Sequence, residues 1–210
     1  MPDSRRAILG RIRSALGPDI ASPLASAAVP RTYIRVGTLD EPARLTLFLD
    51  RLHDYDAQVV ETDSADLPSA ILAMLREHSL GSVIAADGLP PALLPAFAFA
   101  AERDATLEDL DRCDAIITTC TVAIASTGSI VLAHGPGEGA RRFTLVPDRH
   151  LCIVRAAQVV ETVPEAFDRL ALLATHPLTF ISGPSATADI EMTRIRGVHG
   201  PRFLHVLMVG

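Results

Sequence analysis

The segment richest in chemically useful side chains is residues 183–191, Gly-Pro-Ser-Ala-Thr-Ala-Asp-Ile-Glu. It follows directly on a predicted strand, and open α/β sheets bind their ligands beyond the carboxyl ends of their strands. Ser182, Ser185 and Thr187 offer hydroxyl groups, and a helix starting near Ala186 would add free backbone N–H groups. The segment therefore predicts a site for phosphate or a carboxylate, although Ser185 or Thr187 would equally serve as the N-cap of that helix.

A candidate for acid–base chemistry follows a few residues later. His199 lies in a tight turn at residues 197–201, Gly-Val-His-Gly-Pro, and a histidine titrates near neutral pH. Asp189 and Glu191 are its nearest acidic neighbours in the sequence. These three residues are the catalytic candidates, and the alternative is a structural histidine in a turn with Asp189 in the first turn of a helix.

A glycine-rich loop at residues 135–140, Gly-Pro-Gly-Glu-Gly-Ala, has the spacing of a dinucleotide-binding fingerprint. That motif also needs a long helix after the second glycine, whereas the segment 141–146 is short and ends at Pro147. We therefore interpret it as a glycine-rich turn. Arg141 and Arg142 beside it offer forked cations for an anionic ligand.

Residues 126–129, Ser-Thr-Gly-Ser, precede a predicted strand and resemble a small anion-binding turn. Ser126 and Thr127 join the predicted anion site for this reason, although the turn lacks the Gly-x-Ser-x-Gly elbow of hydrolases. Cys120 follows another predicted strand, where it is either a nucleophile or, as is more common, a small buried apolar side chain.

A metal site could in principle be formed by Asp148, His150, Glu191 and His199. No His-x-x-x-His or similar spacing supports it, so no metal site is predicted. The cysteines, Cys113, Cys120 and Cys152, include no Cys-x-x-Cys pair, which indicates a reducing, cytoplasmic environment. Three scattered thiolates cannot supply the usual four ligands of an iron–sulfur cluster.

The composition excludes several classes of chemistry. All 19 basic residues are arginine, so a Schiff-base lysine, a Walker A lysine and an anchor for pyridoxal phosphate are absent from this sequence. The net charge of −6 argues against nucleic acid as a partner. No apolar stretch reaches the roughly 20 residues that a membrane span requires.

The elements that must position these residues alternate along the chain of 210 residues. Helical periodicity predicts helices at 41–54, 66–78 and 164–174. Short apolar runs predict strands at 57–60, 82–85, 115–118, 129–133, 151–154, 179–181 and 202–209. Strands that alternate with helices predict an α/β fold, Rossmann-like, with a mostly parallel sheet covered on both faces.

The first 30 residues differ from the rest. Residues 4–16 predict an amphipathic helix with Ile8, Ile12 and Leu16 on one face, and a linker rich in Pro, Ala and Ser follows. We expect the helix to pack on its own domain or on a neighbouring subunit, the alternatives being a transit peptide or a helix on a membrane surface. The predicted division is an arm at 1–30 and a single domain at 31–210.

Several of these segments together resemble one family. They are residues 123–131, 141–150 and 182–191, with 197–201, and residues 8–16 are similar to that family's opening helix. The chain resembles the LUD-domain family, of the type called lactate utilization protein C. The pairing of Gly-Pro-Ser-Ala-Thr-Ala-Asp-Ile-Glu with Gly-Val-His-Gly-Pro is the most specific part of the resemblance.

The resemblance implies a fold of the NagB/RpiA/CoA-transferase-like group and a role in oxidising L-lactate to pyruvate beside partner proteins that carry iron–sulfur clusters. Many members have Glu where this chain has Ser126, so an acyl-accepting carboxylate is not expected there. We expect a cytoplasmic, non-redox subunit, without a cofactor of its own, that binds a small anion. The alternatives are a stand-alone enzyme acting on a sugar phosphate or acyl-CoA, and a small-molecule sensor.

Overall fold

The computed structural model describes residues 3–16, 32–173, 175–184, 186–187, 195–196 and 200–210. Residues 1–33 and 34–210 form two separate compact units. The helices are α1 (Asp3–Leu16), α2 (Glu41–Asp54), α3 (Leu67–Glu77), α4 (Leu107–Arg112) and α5 (Val163–Leu170). The strands are β1 (Gln58–Thr62), β2 (Val83–Ala85), β3 (Ala100–Ala101), β4 (Ala115–Thr118), β5 (Val122–Ile124), β6 (Ser129–Leu132), β7 (Arg149–Arg155), β8 (Val159–Val160), β9 (Thr179–Ile181), β10 (Ala186–Thr187), β11 (Ile195–Arg196) and β12 (Phe203–Val209).

The first unit contains helix α1, which matches the amphipathic helix predicted at residues 4–16. Its apolar side chains Ile8, Ile12 and Leu16 are exposed. Such a helix gains little from its own backbone, because helices of this length are marginal without an apolar partner. Among the described residues, no helix of the chain is long and apolar enough to cross a lipid bilayer.

The second unit is built on a parallel sheet of six strands in the order β1-β12-β7-β4-β2-β3. Every neighbouring pair in this sheet runs parallel. Its central strands are buried on both faces, as their nearly continuous apolar sequences require. The predicted α/β fold with a mostly parallel sheet is confirmed.

Different elements cover the two faces of this sheet. Helix α3 packs Ile71 and Leu75 against one face, and helix α2 packs Phe48 and Leu52 against the other. Asp40 begins α2 by accepting a hydrogen bond from the backbone N–H of Ala43 at 3.0 Å. The remainder of that second face is covered by a smaller sheet, so the molecule has strands where the sequence predicted only helices.

The small sheet has the order β8-β5-β6-β9, and the sequence did not predict it. Strands β5 and β8 were not predicted, and the run at 129–133 was expected to be a parallel strand of the main sheet. Strand β6 instead pairs antiparallel with both β5 and β9. Because the main sheet covers one of its faces and α5 the other, β6 is wholly buried and lacks the alternation that usually marks an antiparallel strand.

Two local predictions were wrong, whereas the short segment expected after the glycine-rich loop is found. Ala186 does not begin a helix, because β10 pairs antiparallel with β11 and its backbone is extended. The helix predicted at 164–174 ends at Leu170 and continues as a 3₁₀ turn to Leu173. After the glycine-rich loop there is only a 3₁₀ turn, at Arg141–Thr144.

Candidate functional site

Three hydroxyl groups meet where strands β6 and β9 lie side by side. The Oγ1 of Thr127 donates a hydrogen bond to the Oγ of Ser129 at 2.8 Å. The Oγ atoms of Ser129 and Ser182 lie 2.7 Å apart, since the antiparallel register places these two residues opposite each other. We call Thr127, Ser129 and Ser182 the hydroxyl cluster.

A count of protons shows what the hydroxyl cluster can do. Three hydroxyl groups carry three protons, and the two hydrogen bonds within the cluster use two of them. One O–H therefore stays available to a further acceptor. Ser129 is buried whereas Ser182 is exposed, so the chain of hydrogen bonds leads from the core to the surface. The cluster can donate a hydrogen bond to a ligand oxygen and accept others through its lone pairs.

Helix α2 holds the cluster in place through two close approaches to glycine. Gly128 has φ +59°, and a Cβ atom there would lie 2.7 Å from the Cβ of Arg51. Gly183 has φ +85°, and its Cβ would lie 2.5 Å from the Cβ of Tyr55. Only glycine fits at both positions, so the turn and the end of β9 are pressed against the last turn of α2.

This packing places the Cβ and the backbone of Arg51, a residue that the sequence analysis missed, against Gly128. The guanidinium group of Arg51 pairs with the carboxylate of Asp54 at 2.5 Å, and both side chains are exposed. In the sequence, a pair of opposite charges three residues apart on a predicted helix indicates an ordinary surface ion pair. Nothing in the sequence relates Arg51 to a turn almost eighty residues later.

Ser126 begins the same turn. Its backbone N–H donates to the carbonyl oxygen of Glu161 at 3.0 Å, so that amide is not available to a ligand. Its side chain is exposed beside Thr127. The hydroxyl of Thr127, in contrast, already belongs to the hydroxyl cluster.

The glycine-rich loop is bound to its own protein and is not open to a pyrophosphate. The N–H of Gly137 donates to the carbonyl oxygen of Asp87 at 2.7 Å. The N–H of Ala140 donates to the Oε1 of Glu102 at 2.8 Å, and that of Glu138 donates to the carbonyl oxygen of Gly135 at 3.0 Å. With these amides occupied and no long helix after it, the loop does not have dinucleotide-binding geometry.

A buried carboxylate anchors this loop from within. The Oε1 of Glu138 accepts from the hydroxyl of Thr121, and its Oε2 accepts from the N–H of Ala133, both at 2.6 Å. His134 adds a second anchor, because its ring nitrogens lie 2.7 Å from the carbonyl oxygen of Gly139 and 2.7 Å from the Oγ1 of Thr179. Glu138 is only 6% exposed, which explains why a glutamate in a glycine-rich loop is structural here.

The two arginines after the loop lie apart from the hydroxyl cluster. Arg141 donates to the Oγ1 of Thr144, and Arg142 donates to the carbonyl oxygen of Glu102 at 3.3 Å. Both arginines are exposed. They follow the end of β6, whereas Ser126 and Thr127 precede its start, and no hydrogen bond among the described residues joins the two groups.

The remaining candidates from the sequence fall largely outside the described residues. Ser185, Asp189, Glu191 and His199 are not described, and of Thr187 only the extended backbone in β10 is. The phosphate or carboxylate site predicted around them stays a prediction. Ser182, a member of the hydroxyl cluster, directly precedes this segment in the sequence.

Two of the four residues considered as metal ligands, His150 and Asp148, have other partners. The Nε2 of His150 lies 2.8 Å from the Oγ1 of Thr118, and burial lowers the pKa of His150 to about 4. Asp148 pairs with Arg202 at the surface. Within the described residues there is no group of three or more His, Cys, Asp or Glu side chains able to hold a metal ion.

Cys120 is buried, and contact with the thiol of Cys152 together with burial raises the pKa of Cys120 well above its usual range. A thiol that stays protonated is a poor nucleophile, so the geometry favours the interpretation as a small apolar side chain.

Comparison with known proteins identifies the family. The sequence profile of the LUD domain matches residues 45–209. A "Lactate utilization protein C" from Deinococcus radiodurans is 39% identical over 98% of this chain and 91% of its own length. Another protein of that name, from an Exiguobacterium strain, is 30% identical over 75% of this chain and 73% of its own length.

A solved structure agrees with the sequence comparison. The crystal structure of a DUF162 family protein from Deinococcus radiodurans superposes with a TM-score of 0.73 and 36% identity, and covers 82% of this chain and 100% of that one. The profile match spans most of the chain, and the fold matches that of a solved protein with substantial sequence identity. This chain therefore belongs to the LUD domain family.

Proposed function

We propose that this protein serves lactate utilization as a non-redox component that binds a small carboxylate, such as L-lactate or pyruvate, at the hydroxyl cluster. The observation that carries the proposal is that Thr127, Ser129 and Ser182 leave one O–H uncommitted, in a chain of hydrogen bonds that ends at the exposed Ser182. The names of the relatives from Deinococcus and Exiguobacterium support the choice of lactate as the substrate class.

The chemistry of a 2-hydroxy carboxylate suits this cluster. The free O–H donates to a carboxylate oxygen, and serine lone pairs accept from the hydroxyl group of lactate. Arg51 lies on the adjoining turn of α2, where its Cβ faces Gly128 and its guanidinium group is paired with Asp54. Hydrogen bonds to a charged group contribute about 1.5–3 kcal/mol each, which is enough for weak but measurable binding.

The proposal places the redox chemistry in partner proteins. Oxidation of L-lactate to pyruvate releases two electrons and two protons, and this chain offers three cysteines where a cluster needs four thiolates. Iron–sulfur proteins of a cytoplasmic complex would accept the electrons. The acid–base candidates His199, Asp189 and Glu191 could accept a proton, and Ser185 and Thr187 could extend the anion site, since all of them follow Ser182 closely in the chain.

Binding measurements with matched variants test the site. In NMR titrations of the full chain with L-lactate and with pyruvate, we expect saturable shifts for the wild type. Ser182→Ala should weaken binding about tenfold, because it removes a hydrogen bond to a charged group. Thr127→Val should weaken it less, since that hydroxyl acts through Ser129.

Ser64→Ala, at an exposed turn outside the site, is the control and should bind as the wild type does. Absence of saturable shifts in the wild type would contradict the proposal, and so would equal affinities for the wild type and Ser182→Ala. A soaked crystal with the ligand at Arg141 and Arg142, and none at the hydroxyl cluster, would relocate the site.

A further inference from the structure

A polar cavity lies at the edge of the main sheet where strands β2, β4, β7 and β12 begin. Its volume is about 500 Å³, within the range of small-molecule sites. The polar side chains around it belong to His78, Asp111, Asp114, Asp148, Arg149 and Arg202. Ligands of parallel sheets usually bind at the carboxyl ends of the strands, so this position is not the one that the fold predicts.

Some of the charged side chains in this cavity have direct hydrogen-bonded partners, and others do not. Arg202 and Asp148 form a two-pronged ion pair, with Nη2 and Oδ2 at 2.5 Å. The Oδ2 of Asp114 accepts from the backbone N–H groups of Gly81 and Ser82, both at 2.8 Å. Arg149, by contrast, makes no ion pair with a carboxylate in the described part of the chain. Burial lowers the pKa of Arg149 and the nearby carboxylates of Asp148 and Asp114 raise it, so its charge is offset at a distance and not by a direct ion pair.

Arg149 is nevertheless held in one orientation. Its guanidinium carbon lies 4.4 Å from the centre of the Phe203 ring, and its Nη1 lies 2.6 Å from the Nε2 of His205. Because an arginine can only donate, the Nε2 of His205 must accept, and the proton of that ring resides on Nδ1. Holding the side chain in place in advance reduces the entropy that a ligand would otherwise have to remove.

His205 cannot neutralise Arg149, nor does it compete with it for an anion. The ring is fully buried, and its Nδ1 has no hydrogen-bond partner among the described residues. Burial, together with the charge of Arg149, lowers the pKa of His205 to about 3, so the ring is neutral at physiological pH. Arg149 is thus a fixed cation backed by a neutral ring, facing a polar cavity.

We propose that this cavity binds a small organic oxyanion that also carries hydroxyl groups. Arg149 contacts the anionic group, since it is the cation of the cavity that forms no direct ion pair with a carboxylate of the described residues. Asp111, which is exposed and makes no ion pair within the described residues, accepts from the ligand's hydroxyl groups. The carboxylates of Asp111, Asp114 and Asp148 in the cavity wall repel an anion that has no hydrogen-bond donors. They favour a ligand that brings its own donors.

Calorimetric titration of the full chain with glycerol 3-phosphate tests this site. We expect saturable binding to the wild type, weaker binding of inorganic phosphate and none of glycerol. Arg149→Gln should lower the affinity for glycerol 3-phosphate at least tenfold. Arg112→Gln is the matched control, because Arg112 is exposed, pairs with Glu108 and lies outside this cavity.

A second variant keeps the test valid if Arg149→Gln fails to fold. Asp111→Asn should lower the affinity for glycerol 3-phosphate several-fold relative to that for inorganic phosphate, because the loss of charge acts on both anions and only the former has alcohol groups for Asp111 to accept from. Ser182→Ala should bind glycerol 3-phosphate as the wild type does, which separates this cavity from the hydroxyl cluster. Equal affinity of the wild type and Arg149→Gln, or no saturable binding to the wild type, would overturn the proposal.

Discussion

The buried histidines His150 and His205 make the stability of the fold depend on pH. In the folded protein burial lowers the pKa of His150 to about 4 and that of His205 to about 3. In the unfolded chain both rings take up a proton below about pH 6.5. The unfolded state therefore binds more protons between these values, and the free energy of unfolding falls as the pH falls through that window.

Replacement of one of these rings tests this prediction. Between pH 7.5 and pH 5.0, His150 alone should cost on the order of 2 kcal/mol of stability. In urea denaturation, the free energy of unfolding of His150→Gln should fall by about 2 kcal/mol less than that of the wild type over the same pH interval. His176→Gln, which changes an exposed ring, should keep the pH dependence of the wild type. An unchanged pH dependence in His150→Gln would show that the ring does not titrate as its burial requires.

The carboxylate of Glu138 is predicted to matter for stability more than any exposed acid. Glu138→Ala leaves the hydroxyl of Thr121 and the N–H of Ala133 without their acceptor. We expect a loss of about 2–6 kcal/mol, because each of the two unpaired groups costs about 1–3 kcal/mol. Glu108→Ala breaks only an exposed ion pair with Arg112 and should cost less than about 1 kcal/mol in the same thermal unfolding experiment.

At the scale of elements, Tyr55 just after α2 packs against Gly183 just after β9. This contact should affect both the stability of the fold and the binding of the ligand. Gly183→Ala places a methyl group 2.5 Å from the Cβ of Tyr55 at a residue with φ +85°. We expect a loss of about 1–3 kcal/mol from the strained backbone, and weaker binding of L-lactate because Ser182 is displaced. Gly135→Ala is the control, since a Cβ there meets no atom within 4 Å. Equal stability of the two variants in urea would contradict this account.

Helix α1 carries a separate prediction. Its exposed residues Ile8 and Ile12 form part of an apolar face, and we expect that face to associate copies of the chain. In light scattering after size exclusion, the wild type should have a molar mass above that of a monomer. Replacement of both Ile8 and Ile12 by Asp should lower the molar mass to that of a monomer. Ser14→Asp, which adds charge without removing an apolar side chain, should not. A monomeric wild type would contradict association through this face.

The elements also show how far the sequence could predict the fold. The runs at 82–85, 115–118 and 151–154 predicted strands of the parallel sheet, because strands buried on both faces are apolar throughout. The same rule misled at 129–133, where β6 is just as buried but pairs antiparallel. Burial is visible in the sequence, whereas the choice of pairing partner depends on segments distant in the chain.

The candidate site illustrates the same limit at the scale of the whole molecule. Thr127 and Ser182 were both recognised as hydroxyl donors, but as members of unrelated segments. Their link through Ser129 arises from the register between β6 and β9, which no local pattern specifies. Arg51 and Glu138 could not be assigned for the same reason, since the role of each depends on contacts made by the folded chain.

The whole molecule is proposed to bind a carboxylate and to leave the electron transfer to partner proteins. The measurement that tests this most directly is lactate-dependent dye reduction by the purified, metal-free chain, alone and with its iron–sulfur partners. We expect no reduction by the chain alone, because proton transfer by a residue such as His199 cannot by itself complete an oxidation. Activity should appear only when the partners are added. Robust turnover by the isolated chain would contradict the account, and His199→Ala and Asp189→Asn would then be the first variants to measure.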